Sequence, residues 1–318
     1  MHLDRIRLSQ IMRRRFLKAN ERQTGGPNER SAHRSAKERT VPDVRLDEVG
    51  LWTEIKLRII RDYSAAYSRI LKKQTIIRHF AYIDGFAGAG QHISKTTGDL
   101  IDGSPVIALS YEFSHYHFVD LDGKRAANLR QIAAGRDDVS VYEGDCSSVL
   151  LEQVFPECRF EDYRRALCLL DPYDLNPKWE VVQTAGVMKS IELFIIFMIM
   201  HANRNVLLRG SPESVSETEI AKMTAFWGDE SWRDVAYRKR QGLFEEILEK
   251  TRNEDMAVAY RKRLREVAGF EYVPEPLPMK NSKGAVVYYL YFASRNETGY
   301  KVAKGVLDKY RDGGADSV

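Results

Sequence analysis

Four apolar runs in this 318-residue chain end in acidic residues or glycine, and those ends are where chemistry is expected. The first, Ala81-Tyr-Ile-Asp84, passes at once into Gly85-Phe-Ala-Gly-Ala-Gly90. A buried parallel strand that ends in such a loop brings bare backbone N–H groups close to a ligand. Asp84 would face one end of that ligand, directly or through water, and Phe86, Ala87, Gly88 and Gly90 would shape the loop beside it. The plain alternative is a structural turn. The second run stops at Asp120-Leu-Asp122 and the third at Glu143-Gly-Asp145. In a sheet that binds a nucleoside, a carboxylate at the second end accepts hydrogen bonds from ribose hydroxyls, and Asp120, nearest the strand, is favoured. Asp145 is placed to accept from an adenine amino group. Either acid, and Asp122, can instead cap the helix that follows. The fourth run ends in Leu169-Leu-Asp-Pro-Tyr-Asp174, where Asp171, Pro172 and Tyr173 are the candidates for contact with a reacting partner. Pro172 and Tyr173 could also do no more than turn the chain over the sheet edge.

These ends need a scaffold that gathers them. Leu51, Ile55, Ile59 and Tyr63 recur on one face and predict an amphipathic helix over Leu46–Leu71. Strands are expected at Phe80–Ile83, His115–Val119, Val139–Tyr142, Ala166–Leu170 and Leu193–Met200, separated by helices at Val106–Phe113, Arg125–Ala134, Ser147–Val154 and Trp179–Val187. Ser104 reads as an N-cap with Pro105 at the first helical position. Gln91–Asp102 reads as a polar loop over the edge of the first strand. This rhythm predicts a Rossmann-like, mostly parallel twisted sheet with helices on both faces. Ligands bind such sheets at the carboxyl edge, and the acids fall on that edge. Ser211–Glu266 reads as a charged helical insertion of the α/β domain at 46–318, Val273–Pro278 as a connector, Val286–Ala293 as a strand and Thr298–Tyr310 as a closing helix.

With 43% hydrophobic and 30% charged residues the chain is of globular type. Its longest apolar run, Ile191–Met200, is too short to span a bilayer and carries Glu192, so no membrane association is expected. Nor is there an apolar segment of signal-peptide type at the N-terminus. Cys146, Cys158 and Cys168 are too widely spaced for a metal pair; Cys146 and Cys168 fall in or beside expected core strands and read as small buried thiols, which predicts a reducing, cytoplasmic compartment and no structural zinc. The net charge of +4 is uneven: through Pro42, 11 Lys and Arg oppose 4 Asp and Glu, so the rest of the chain is net acidic. Residues 1–45 read as a basic flexible arm of the kind that contacts phosphate backbones, or simply as a solvated tail. Arg238-Lys-Arg240 and Arg261-Lys-Arg263 offer further phosphate-binding charge, or solvated helix faces.

Two local motifs carry a resemblance. An acid before Phe-Ala-Gly-x-Gly resembles the first motif of class I S-adenosylmethionine (SAM)-dependent methyltransferases, whereas dinucleotide folds use Gly-x-Gly-x-x-Gly. Asp171-Pro-Tyr-Asp174 resembles the Asp-Pro-Pro-Tyr tetrapeptide of methyltransferases that modify exocyclic amino groups of bases, departing from it at Tyr173 and Asp174. The whole order resembles the three-Cys-motif partner (TcmP) family. The matching residues are Trp52, Lys56, Tyr63 and Tyr67; Tyr82–Gly90; Gly103–Pro105 with Ala108 and Leu109; Asp120; Gly144-Asp145; Asp171–Tyr173 with Trp179; and Tyr289–Arg295. The resemblance spans about Leu46 to Tyr310 and implies a class I methyltransferase-like fold with SAM as cofactor. It also implies a genomically linked partner bearing the cysteine motif, which the three cysteines here do not reproduce. The expectation is methylation of a nucleic-acid base in DNA or RNA, with Asp84, Phe86, Ala87, Gly88, Gly90, Asp120 and Asp145 around SAM and Asp171, Pro172 and Tyr173 at the acceptor. The alternative is a methyltransferase-like protein that binds SAM or nucleic acid without catalysis. Lys56 would contact substrate or pair with a nearby acid such as Asp62 or Glu48.

Overall fold

Alternating apolar residues on parallel strands bury both faces of one central sheet. The computed structural model describes residues 44–209, 212–241 and 246–312, so the basic arm before residue 44 lies outside the described residues. The chain runs β1 (Asp47–Val49), α1 (Leu51–Leu71), β2 (His79–Asp84), β3 (Gln91–Ser94), β4 (Leu100–Asp102), α2 (Ser104–Leu109), β5 (His115–Asp120), α3 (Gly123–Ile132), β6 (Val139–Glu143) and α4 (Cys146–Val149). Then follow β7 (Arg164–Leu170), α5 (Trp179–Met188), β8 (Ile191–Phe197), α6 (Ile199–Asn205), α7 (Glu217–Trp227), α8 (Trp232–Ala236), β9 (Tyr237–Gln241), β10 (Glu246–Lys250), α9 (Asn253–Glu266), β11 (Leu277–Lys280), β12 (Val286–Ala293) and α10 (Glu297–Asp312).

Seven strands form the main sheet in the order β11-β12-β8-β7-β2-β5-β6. The five from β8 to β6 are parallel, while β12 runs antiparallel to both β8 and β11. The strand order reverses beside β2, which places the loop after Asp84 at the switch point where doubly wound sheets bind ligands. This is a Rossmann-like, doubly wound architecture. Successive strand residues face opposite sides. Tyr82, Phe118, Leu169, Phe194 and Phe292 pack with Ile59, Ile60 and Tyr63 of α1. Ile83, Val119, Leu170, Ile195 and Phe197 pack with Val181, Phe226, Trp227 and Tyr260 on the other side.

Local details differ from the sequence expectations. The first helix starts at Leu51 because Asp47–Val49 extends and pairs in parallel with β3. The expected loop at 91–102 is a hairpin, β3–β4, so β1, β3 and β4 make a small sheet over the carboxyl edge. Gly103, not Ser104, caps α2, and that helix ends at Leu109. The insertion is not wholly helical: Tyr237–Gln241 pairs antiparallel with Glu246–Lys250. Leu277–Lys280 extends the proline-rich connector into an edge strand, where Pro278 costs no interior ladder bond. The three cysteines are buried free thiols. No described helix is long and apolar enough to cross a membrane.

Candidate active site

At the end of β2 the Asp84 carboxyl is fully buried. The Phe86 N–H donates to its Oδ1 at 3.2 Å, but among the described residues no hydrogen bond of ordinary geometry reaches Oδ2. Burial pushes its pKa up to about 7; nearby Asp171 adds to the rise, against the Ser104 hydroxyl, the Phe86 N–H and the Lys56 ammonium. The glycines that follow divide the work. Gly88 (φ +63°) and Gly90 (φ +81°) both adopt left-handed backbone that favours glycine. A Cβ on Gly88 would meet open space, whereas one on Gly90 would lie 2.7 Å from Ile132 Cδ1. Gly90 therefore lets the loop pack on α3, and Gly88 leaves bare backbone for a ligand. Ala87 is buried and its N–H donates to Val119 O at 2.9 Å, which ties the loop to β5.

Asp120 closes β5 and binds the loop from the other side. Its Oδ2 accepts the Gly88 N–H at 2.8 Å and its Oδ1 the Asp122 N–H at 2.8 Å. Burial raises its pKa, opposed by these two N–H groups and Arg125. Asp122 is the helix cap, accepting from Lys124 N at 2.8 Å and Arg125 N at 3.3 Å. Between them Leu121 stands 77% exposed, an apolar side chain available to lie against a flat ring. Asp145 caps α4: its Oδ2 accepts the Ser148 N–H at 3.0 Å and the Ser148 hydroxyl at 3.2 Å. Capping uses one carboxylate oxygen and leaves the other toward solvent.

The fourth strand end carries the strongest electrostatics. Asp171 forms an ion pair with Lys56 of α1, 115 residues away in sequence. Lys56 is only 6% exposed, and its ammonium also sits 5.9 Å from the Tyr288 ring centroid. A charge so buried persists only when paired. The acids near in sequence do not take it: Asp62 accepts from Lys309 and the Tyr310 hydroxyl instead. Pro172 is buried. Tyr173 is exposed at the rim, with its hydroxyl donating to Asp47 Oδ2 at 2.7 Å. Arg125 Nη2 donates to that same oxygen at 2.9 Å, and its guanidinium lies 5.7 Å from the Tyr173 ring centroid. Burial and Asp47 both raise the Tyr173 pKa, so its hydroxyl stays a donor.

A cavity of about 300 Å³ lies between α1, the glycine loop and the Asp171–Tyr173 segment, lined among others by Lys56, Phe86, Gly88, Ser104, Asp171 and Tyr288, while Asp84 and Asp120 end the adjacent strands β2 and β5 without lining it. The structure therefore brings Asp84, the glycine loop, Asp120 and Asp171–Tyr173 to one edge, while Asp145 stands farther along it, on the loop after β6. Sequence reasoning missed the Lys56–Asp171 pair, Ser104, Leu121 and the Asp47 clamp. Lys56 had a visible signal, because it falls on the buried face of α1, four residues after Trp52 and seven before Tyr63. Of the basic runs, Arg261 is tied to Val273 O and Glu275, and Arg263 to Trp227 O, Ser231 and Asp229. Arg238 and Arg240 are exposed on β9, near Asp255 and Glu249.

No model of a known protein family matches the chain, and no curated protein matches it. Among solved structures, protein LPL1258 from Legionella pneumophila aligns with a TM-score of 0.42 at 12% identity, over 81% of this chain and 93% of that one. Trm1 from Pyrococcus horikoshii, solved with S-adenosyl-L-methionine, aligns with a TM-score of 0.41 at 12% identity, over 80% of this chain and 58% of Trm1. The DszA carbon methyltransferase aligns at 0.36 and 14% identity, over 72% of this chain and 50% of that one. Likenesses this distant leave the site to be read from its own residues.

Proposed function

We propose that this chain is a SAM-dependent methyltransferase that acts on a base of nucleic acid, with an exocyclic amino group as the favoured acceptor. One observation carries the reading: at the switch point of the sheet a fully buried carboxyl, Asp84, has an oxygen without a hydrogen-bond partner among the described residues, and it precedes a loop whose Gly88 faces open space. An ammonium group supplies the donor Oδ2 lacks, and a cofactor's amino-acid end carries one. Asp120 has lone pairs left for a ribose diol after binding two N–H groups, Leu121 offers a face for adenine, and the free oxygen of Asp145 can accept from the adenine amino group. The Gly88 backbone lets the chain of the cofactor pass close by.

When bound, SAM supplies a methyl group already activated on sulfonium, so the protein's task is alignment. Asp171 and the backbone beside Pro172 would receive the acceptor amine's hydrogens and turn its lone pair toward the methyl carbon. Tyr173, held by Asp47 and Arg125, would flank the base at the rim. The cavity admits one base but not a duplex, so a paired target must be flipped out. The basic arm supports a polyanionic acceptor. The resemblance to three-Cys-motif partners adds a genomically linked protein as a second partner.

One observation favours the reading without catalysis: Lys56 already occupies the Asp171 carboxylate, which must yield that contact to grip an amine. Titration with SAM and transfer of labelled methyl to total nucleic acid separate the two. Catalysis expects Asp171→Asn to bind SAM with wild-type affinity and to lose transfer by at least about a hundredfold. Wild-type protein that binds SAM yet labels no nucleic acid, with or without its partner, would leave only the binding reading.

A further inference from the structure

The amino-terminal edge of the sheet holds a second cavity, of about 590 Å³, where β7 and β8 begin and β12 ends. Its size is that of a small-molecule site. At its floor lies Glu192 of β8, whose Oε1 accepts from the Ser294 hydroxyl at 3.3 Å and whose Oε2 accepts from Tyr63. The Tyr67 and Ser190 hydroxyls line the same space. These residues are 5% and 1% exposed, and neither hydroxyl has a hydrogen-bond partner among the described residues. A buried hydroxyl left without a partner is costly, so a ligand that supplied the partners would be gripped there.

The walls have a different chemistry. Phe160 is exposed, and the Arg165 guanidinium lies 4.0 Å from its ring centroid, making a flat cationic and aromatic surface. Lys189 and Arg295 line the cavity and form no ion pair with any described residue. The amino end of the 16-residue helix α10 opens beside them, with Asn296 Oδ1 accepting the Thr298 N–H at 2.9 Å. Two acids also line the cavity near these cations. Glu297 is paired with Lys301 at 2.9 Å, and Glu271 lies against Tyr272. Lys189 sits in left-handed backbone (φ +63°) at the end of α5, where glycine is the favoured residue.

We propose that this cavity is a second ligand site that takes a mononucleotide. The amino edge of the base enters toward Glu192 and the two free hydroxyls, its face lies on Phe160 and Arg165, and the phosphate stops at Lys189, Arg295 and the amino end of α10. An acceptor floor, a stacking wall and a cationic mouth occur together in no simpler ligand's complement: inorganic phosphate uses only the mouth, and an apolar molecule uses neither end.

The test is calorimetric titration of the full chain with AMP, CMP, GMP, UMP and inorganic phosphate, repeated on Asp120→Ala and on the double variant Lys189→Ala/Arg295→Ala, with circular dichroism to confirm folding. Expected is one-site binding of an amino-bearing nucleotide, about tenfold or more tighter than UMP, which lacks the exocyclic amine. The double variant should weaken it about tenfold or more and Asp120→Ala should leave it unchanged. The proposal fails if no nucleotide binds with Kd below about 1 mM. It fails equally if phosphate or UMP binds as tightly as the amino-bearing nucleotides, or if binding is lost in Asp120→Ala and kept in the double variant, which would place the nucleotide at the carboxyl edge.

Discussion

Lys56 and Asp171 were both visible in the sequence, but nothing within 115 positions of either one predicted that they pair. Their interdependence is testable. Lys56→Met leaves Asp171 short of its counter-charge and should cost about 2–3 kcal/mol in urea denaturation, under the 3–5 kcal/mol of a fully buried pair because the Asp171 side chain is 22% exposed. Adding Asp171→Asn should recover most of that stability; additive effects would show that the two do not act as a pair. Asp84 gives a pH signature. Its folded pKa of about 7 lies above the ordinary carboxyl value, so it is protonated in the free protein at pH 6. This group's contribution to stability therefore falls as pH rises from about 4 to 7 and is flat above that. An ammonium brought to Oδ2 favours the carboxylate. SAM binding at pH 6 should thus release up to about one proton, read from calorimetry in buffers of different ionisation enthalpy, and release should fade above about pH 8. Binding with no proton release at pH 6 would remove Asp84 from the cofactor's amino end. In the sequence Asp120 was favoured over Asp122 only for its nearness to the strand end. The structure gives Asp122 the cap and Asp120 the glycine loop, because only Asp120 is still within the strand that lies beside that loop.

At the scale of elements, period and punctuation predicted the strands to within a few residues, since a buried parallel strand is a run of apolar side chains closed by a breaker. The misses are the short pieces. The three-residue β1, the β3–β4 hairpin, β9–β10 and β11 have too few side chains to show a period, and they exist because a neighbour offers an edge. Packing overrides propensity in the helices as well. Gly186 lies inside α5, where alanine is usually favoured by about 1 kcal/mol. A Cβ there would fall 1.9 Å from the Ala268 carbonyl oxygen. Gly186→Ala should therefore destabilise the protein by about 2 kcal/mol or more, because backbone must move to relieve the overlap. A raised denaturation midpoint would mean that α5 and the 268 segment are not in contact.

For the whole molecule, the charge asymmetry makes the last prediction. Residues 1–43 carry the basic excess and lie outside the described residues. Removing them should leave the thermal midpoint within about 2 °C while weakening nucleic-acid binding and flattening its dependence on salt, since each phosphate that is no longer neutralised lowers the slope by about one unit. An unchanged slope would move the polyanion contact elsewhere, with Arg238 and Arg240 on the exposed hairpin as the next cations to test. By itself the sequence determined the sheet, its carboxyl edge and the acids that gather there, because those signals lie within a few residues of one another: a period, a terminating acid, a glycine that only a left-handed turn requires. Only the tertiary structure decided which acid serves which partner, that Lys56 crosses from α1 to Asp171, that Asp47 clamps Tyr173, and that a second cavity lies at the amino edge around Glu192. The last three rest on contacts between residues that the chain separates by more than a hundred positions, and their geometry follows from how helices pack on a sheet whose strand order is not its sequence order.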